Sequence, residues 1–160
     1  MVWQEMVGKD GSIHMPKADF RRDWPVLGTW ALTGDDGKVT GQHVVYSQRS
    51  TIDAFRATGE FPDGAVLIKE LLLAQSASLT TGEAAWATEI SGWFVMIKDR
   101  KNRFPKNQLW GKGWGWAYFG AEDKTTSPTK SFRAECMGCH VPAKKEDWIY
   151  SYAYPVLAKK

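Results

Sequence analysis

Cysteine and histidine are scarce in this chain: 160 residues carry two Cys, at 136 and 139, and three His. His14 and His43 stand alone far upstream, so the cysteines have no second ligand pair with which to build a structural zinc site. No apolar run approaches membrane-spanning length, and a non-membrane, soluble protein is expected. Charge of one sign is also missing. Lys and Arg number 21 against 18 Asp and Glu, a net charge of +3, and the basic residues are scattered, so nucleic acid is not an expected partner. No internal repeat or low-complexity segment appears. The N-terminal MVWQEMVGKDG has no basic region followed by an apolar stretch, so no export signal is visible there.

The length suits one domain over 1–160, large enough to bury a core around a cofactor. A hydrophobic content of 43% with 24% charged residues is ordinary, whereas nine tryptophans and 13% aromatics are not. Such aromatic excess suits either a protein that wraps a flat apolar group or a plain β-sheet core.

Both cysteines lie in one short stretch, Glu135-Cys136-Met137-Gly138-Cys139-His140. Cys-x-x-Cys-His is the pattern of c-type haem attachment: two thiols form thioethers to the porphyrin vinyl groups, and the adjacent imidazole reaches the iron. A thioredoxin-like motif should open a helix near the start of a βαβ unit, and no such unit surrounds this one. One covalent haem c, with His140 as axial iron ligand, is the expected cofactor. Haem c is normally attached outside the bacterial cytoplasmic membrane. A periplasmic location is therefore expected, for a mature form whose export signal has been removed.

Periodicity describes the scaffold. Residues 65–73, AVLIKELLL, follow the turn Phe61-Pro62-Asp63-Gly64 and read as a buried strand. Residues 87–98 form another, with Trp93, Val95 and Ile97 on one face, Phe94 and Met96 on the other, and Gly92 as a candidate bulge. Strict alternation over 113–120 places Trp114, Trp116 and Tyr118 together. Strands at 26–32 and 40–47 flank the hairpin-like turn Gly34-Asp35-Asp36-Gly37. The expected fold is α+β: a five-stranded antiparallel sheet with a few short helices and the haem attached near the C-terminus. One helix opens at Ser50 as N-cap, with Asp53 at N3, and stops at Gly59. Shorter helices are expected near 17–24 and 131–140, with a loop at 125–129.

Small helical electron carriers place their haem motif near the N-terminus and a methionine ligand downstream. Here no Met or His follows His140. Met6, Met15, Met96, His14 and His43 are the only other residues able to offer a sixth ligand, and an open distal iron site that binds small molecules is the favoured expectation.

Five blocks, FRRDWPVLGTW, HVVYSQRSTIDAFRATGEFPDGAVLIKEL, GWGWAYF, AECMGCH and YAYPVL, resemble the cytochrome P460 family, which includes the β-sheet cytochromes c′-β. In cytochromes P460 a lysine in the strand after the Gly-Glu-Phe turn bonds covalently to the haem macrocycle, and Lys69 occupies that position. Alternation puts Leu67, Lys69 and Leu71 on one strand face, so the ammonium projects among apolar neighbours, where a neutral, nucleophilic amine is favoured. The alternative is a lysine at a sheet margin whose head reaches water, Glu60 or Glu70. Phe61 and Tyr118 are candidates for the distal wall, as is Trp116. Glu70 reads as a surface carboxylate, and Glu135 as a surface residue or a helix cap.

The resemblance implies two alternative functions. One is oxidation of hydroxylamine to nitrogen oxides, nitrous or nitric oxide, with electrons passing to a redox partner such as another cytochrome. The other is binding of nitric oxide or carbon monoxide in an apolar aromatic pocket without the cross-link. It also implies a homodimer.

Overall fold

Five of the seven residues 66–72 are apolar and they fall on both faces, so a strand there must be covered on both sides. The computed structural model, which describes residues 2–158, shows how. The chain runs α1 (Val2–Met6), α2 (Phe20–Asp23), β1 (Val26–Thr33), β2 (Val39–Ser47), α3 (Arg49–Thr58), β3 (Val66–Leu79) and β4 (Gly82–Lys98). It continues through β5 (Trp110–Gly111), β6 (Trp114–Gly120), α4 (Phe132–Glu135) and α5 (Met137–His140) to three 3-10 turns at Val141–Glu146, Ser151–Ala153 and Pro155–Leu157. The strands form one antiparallel sheet in the order β1-β2-β3-β4-β6-β5. Among the described residues no helix is long and apolar enough to cross a membrane.

The sheet has six strands, not five. The additional one, β5, pairs through Trp110 and Gly111 alone, too short a segment to show any alternation. The central hairpin is also longer than its hydrophobic pattern. β3 continues past residue 73 to Leu79, and β4 begins at Gly82 rather than 87. β2 pairs with β3 only as far as Leu73, and β6 with β4 only from Gly92, so the hairpin end projects as a two-stranded arm. Its residues are mostly small or polar because they have no core to meet. The expected bulge lies beside Gly92: Leu71 pairs with Gly92 and Leu72 with Ile90, leaving Ser91 unpaired. A Cβ at Gly92 would stand 2.6 Å from the Phe119 carbonyl oxygen, so β6 can approach only a glycine there.

The N-terminal segment covers one face, packing Met6, Ile13, Phe20 and Trp24 against Val66, Ile68, Trp93, Val95 and Ile97. The C-terminal segment and α3 cover the other, setting Ile52, Phe132, Cys136, Ile149, Tyr154 and Leu157 against Val45, Leu67, Met96, Trp114 and Trp116. The alternation within 93–97 and 114–118 is thus realised as read.

α3 begins two residues earlier than its sequence suggests, with Gln48 at the N-cap position instead of Ser50. The Gln48 Oε1 accepts from the Thr51 hydroxyl and the Val66 backbone N–H, both at 3.0 Å, tying the helix start to β3. The helix ends as expected, at a left-handed Gly59 with φ 81°. The helical stretch expected over 131–140 is two single turns, α4 and α5, broken at Cys136. Glu135, the last residue of α4, folds back onto the chain entering that turn, its Oε1 accepting from the Lys130 and Ser131 N–H groups at 2.9 and 3.0 Å.

Candidate functional site

On the C-terminal face, strand register arranges side chains in rows. Leu67, Met96 and Trp116 stand side by side; the next row is Val45, Lys69 and Phe94, and the next Trp30, His43 and Leu71. Facing them are Cys136, Cys139, His140, Ile149, Tyr150 and Tyr154 from the C-terminal segment. The two sides enclose a largely apolar cavity of about 440 Å³, within the range of cofactor sites.

Cys136 is buried and Cys139 exposed, and both are free thiols in the cavity wall. Burial pushes the Cys136 thiol up to about 11, so it is protonated at neutral pH. The His140 Nδ1 lies 2.7 Å from the Trp148 carbonyl oxygen. A carbonyl can only accept, so Nδ1 carries the hydrogen and Nε2 keeps its lone pair. Burial lowers the His140 pKa; the Trp148 carbonyl opposes that shift and Lys69 adds to it. Trp116 meets the imidazole edge-on at 4.9 Å and is itself fixed by donating from Nε1 to the Gly111 carbonyl at 3.0 Å.

This donor set fits haem c. Two thiols and a neutral imidazole with a free nitrogen share one wall of an apolar cavity, as thioether attachment and axial ligation require. Among the described residues no three His, Cys, Asp or Glu side chains gather into a metal-binding group. Iron here would be held by the macrocycle and His140.

Lys69 is partly buried, with Nζ 4.9 Å from the centre of the Phe94 ring. Burial lowers its pKa, and charge on Cys139 and Cys136 would act in the opposite direction. Thioethers carry no charge, so attachment removes that opposition. Neither carboxylate weighed as a partner reaches Lys69. Glu60 pairs with Arg100, while Glu70 is buried on the opposite face with Arg21 and Trp93. Glu70 is therefore not a surface carboxylate: β3 is covered on both sides, so a residue one step from the cavity is also interior.

His43 sits in the same cavity wall, diagonal to Lys69 across the β2–β3 register. Burial, reinforced by the Lys69 charge, lowers its pKa from 6.5 to about 4. Strand alternation in TGQHVVYS pairs it with Val45, but cannot tell which face the pair occupies. Met96 also lines the cavity, whereas Met6 and Met15 pack on the other face of the sheet and the exposed His14 lies within hydrogen-bonding distance of the Ser12 hydroxyl.

Phe61 and Tyr118 do not line this cavity. Phe61 fills the core between Phe55 and Trp114, with ring centres at 4.6 and 5.4 Å. Tyr118 lies further along the sheet, packed on Phe94 with its hydroxyl donating to the Ser91 carbonyl at 3.2 Å. The aromatic wall is made by Trp30, Phe94, Trp116, Tyr150 and Tyr154. Tyr150 donates to the Cys139 carbonyl at 2.6 Å, and burial pushes Tyr154 up to about 12. Tyr154 lies in the YAYPVL segment and Tyr150 two residues before it, and neither carries a local mark of that role, because each meets the cavity through residues distant in sequence.

No curated protein matches the chain. A family model described as Cytochrome P460 matches residues 18–151, from just before α2 through the Cys136–His140 stretch to just past Tyr150. The chain therefore belongs to the cytochrome P460 family, as a haem-binding cytochrome of the c type.

Proposed function

We propose that this cytochrome oxidises hydroxylamine to nitrogen oxides at an open iron site, on a haem attached through Cys136 and Cys139, ligated by His140 and bonded to Lys69. The observation that carries this reading is Lys69. It projects into the cavity against an aromatic ring, close enough to both cysteines and to His140 for their charges to interact, and it forms no ion pair among the described residues.

When bound, haem supplies a coordination site for the substrate and the redox chemistry that draws electrons from it. The neutral Lys69 amine is the form able to bond to a carbon of the macrocycle edge. Forming that bond would remove one hydrogen from the nitrogen and one from the carbon, as two protons and two electrons, and so would require an external two-electron oxidant. Each N–H or O–H bond broken in hydroxylamine releases a proton, and His43, neutral at physiological pH, is positioned in the wall to accept it. Burial holds its pKa below the ordinary value, so its imidazole passes protons onward instead of retaining them. Electrons leave to a redox partner cytochrome, in the periplasm, from a homodimer.

A second reading is favoured by the cavity's composition. Trp30, Leu32, Val45, Leu67 and Phe94 offer little to a polar substrate and suit nitric oxide or carbon monoxide, as in the cytochromes c′-β.

The visible spectrum and intact mass of the holoprotein separate the two. A strongly red-shifted main haem band, abolished in Lys69→Ala together with turnover of hydroxylamine and an artificial oxidant, is expected. A normal high-spin haem c spectrum would leave gas binding, and a low-spin six-coordinate spectrum would sink both readings.

A further inference from the structure

The carbonyl that fixes His140 belongs to an unusual turn. Asp147 and Trp148 both adopt left-handed backbone, with φ 56° and 67°, a conformation that costs a side-chain-bearing residue energy and persists only where the surroundings impose it. Three contacts impose it here. The Trp148 N–H donates to the Ala143 carbonyl at 2.9 Å, and Trp114 Nε1 donates to the Asp147 carbonyl at 2.9 Å. The Asp147 carboxylate takes Lys98 Nζ on both oxygens at 2.7 Å.

Lys98 is a rigid anchor. It ends β4, its side chain is 10% exposed, and Nζ lies 4.8 Å from the centre of the Trp114 ring. Its backbone is bonded on both sides, N–H to the Ala65 carbonyl at 2.8 Å and carbonyl to the Gly64 N–H at 2.9 Å. A continuous path thus runs from a central strand through Lys98, Asp147 and the Trp148 carbonyl to the Nδ1 hydrogen of His140.

We propose that Lys98 is a positioning residue for the axial imidazole: its ion pair with Asp147 holds the left-handed turn so that the Trp148 carbonyl accepts from Nδ1, and this sets how strongly Nε2 donates to iron. This rests on His140 being the axial ligand. A stronger Nδ1–H···O bond gives the ring more imidazolate character, which strengthens the iron–nitrogen bond and favours the ferric state. Loosening the turn should weaken the iron–imidazole bond and raise the reduction potential.

The test compares holoproteins of Lys98→Met, Lys98→Arg and Asp147→Asn with wild type by resonance Raman of the ferrous form and by redox titration. Lys98→Met should lower the iron–histidine stretching frequency and raise the midpoint potential. Asp147→Asn, which tolerates the left-handed backbone but loses the charge, should shift both the same way, and the double variant should add little to either single change. Lys98→Arg should restore wild-type values. Arg100→Gln, which breaks the neighbouring Arg100–Glu60 pair, should leave both unchanged. Unaltered frequency and potential in both Lys98→Met and Asp147→Asn, with only the melting temperature lowered, would overturn the proposal and leave the ion pair a purely structural role. Absence of an iron–histidine band from the wild type itself would remove the axial assignment and the proposal with it.

Discussion

Two consecutive residues of β3 show how differently the faces of one sheet treat an ionisable group. Glu70, 3% exposed, accepts on Oε2 from Arg21 Nε at 2.7 Å and Trp93 Nε1 at 2.8 Å, so its negative charge is matched by donors that converge on that oxygen. Lys69, on the opposite side, ends against a Phe94 ring in a cavity and forms no ion pair among the described residues. A buried charge whose partners are all present supports the fold. A charge left short of partners in an apolar cavity is biased toward its neutral form, where it can react. Charge in the interior therefore does not by itself mark a site; the missing partner does.

The contrast can be broken first from the Glu70 side. Glu70→Ala strands the Arg21 guanidinium and the Trp93 N–H, and should cost about 3 kcal/mol, read as a lowered urea midpoint with an unchanged m-value. The cavity-side spectrum of whatever fraction remains folded should be preserved, since Glu70 does not face it.

His43 sharpens the same comparison through pH. Its pKa is about 4 in the folded protein against an ordinary 6.5, so between those values the unfolded chain binds a proton that the folded chain does not. Stability should therefore fall as pH drops from about 6.5 toward 4 and be free of this effect above that window. His43→Leu should flatten that part of the slope, as measured by urea midpoints across the range.

Lys69→Met should have the smallest effect on stability. No ion pair is lost and an apolar side chain replaces a desolvated amine, so the apoprotein should stay within about 1 kcal/mol of wild type. A large destabilisation would show that Lys69 has a structural partner and belongs with Glu70.

Strand positions in the core were legible wherever burial imposed alternation. Trp93, Val95 and Ile97 fall on one face and Phe94 and Met96 on the other because each set must meet a different hydrophobic layer. The arm around 74–86 was not legible, since its residues answer to no core. The α3 start was displaced because Gln48 is recruited by a strand eighteen residues further on, at Val66 N–H, through a contact that helix-capping preference does not describe. Phe61 is a turn residue as read, yet its ring is claimed by Phe55 and Trp114, and the cavity wall is built instead from Trp30 and Tyr154.

The sequence by itself brought Cys136, Cys139 and His140 together, because they lie within one turn of chain and their relation is set by covalent spacing. It also placed Lys69 on the face shared with Leu67, a matter of two-residue periodicity. Only the tertiary structure decided that this face is the cavity, that His43 joins it, that Glu70 is sealed behind it, and that the Trp148 carbonyl orients His140. Each of those depends on strand register or on a turn clamped from a distant strand, and such contacts leave no periodic trace in the residues that make them.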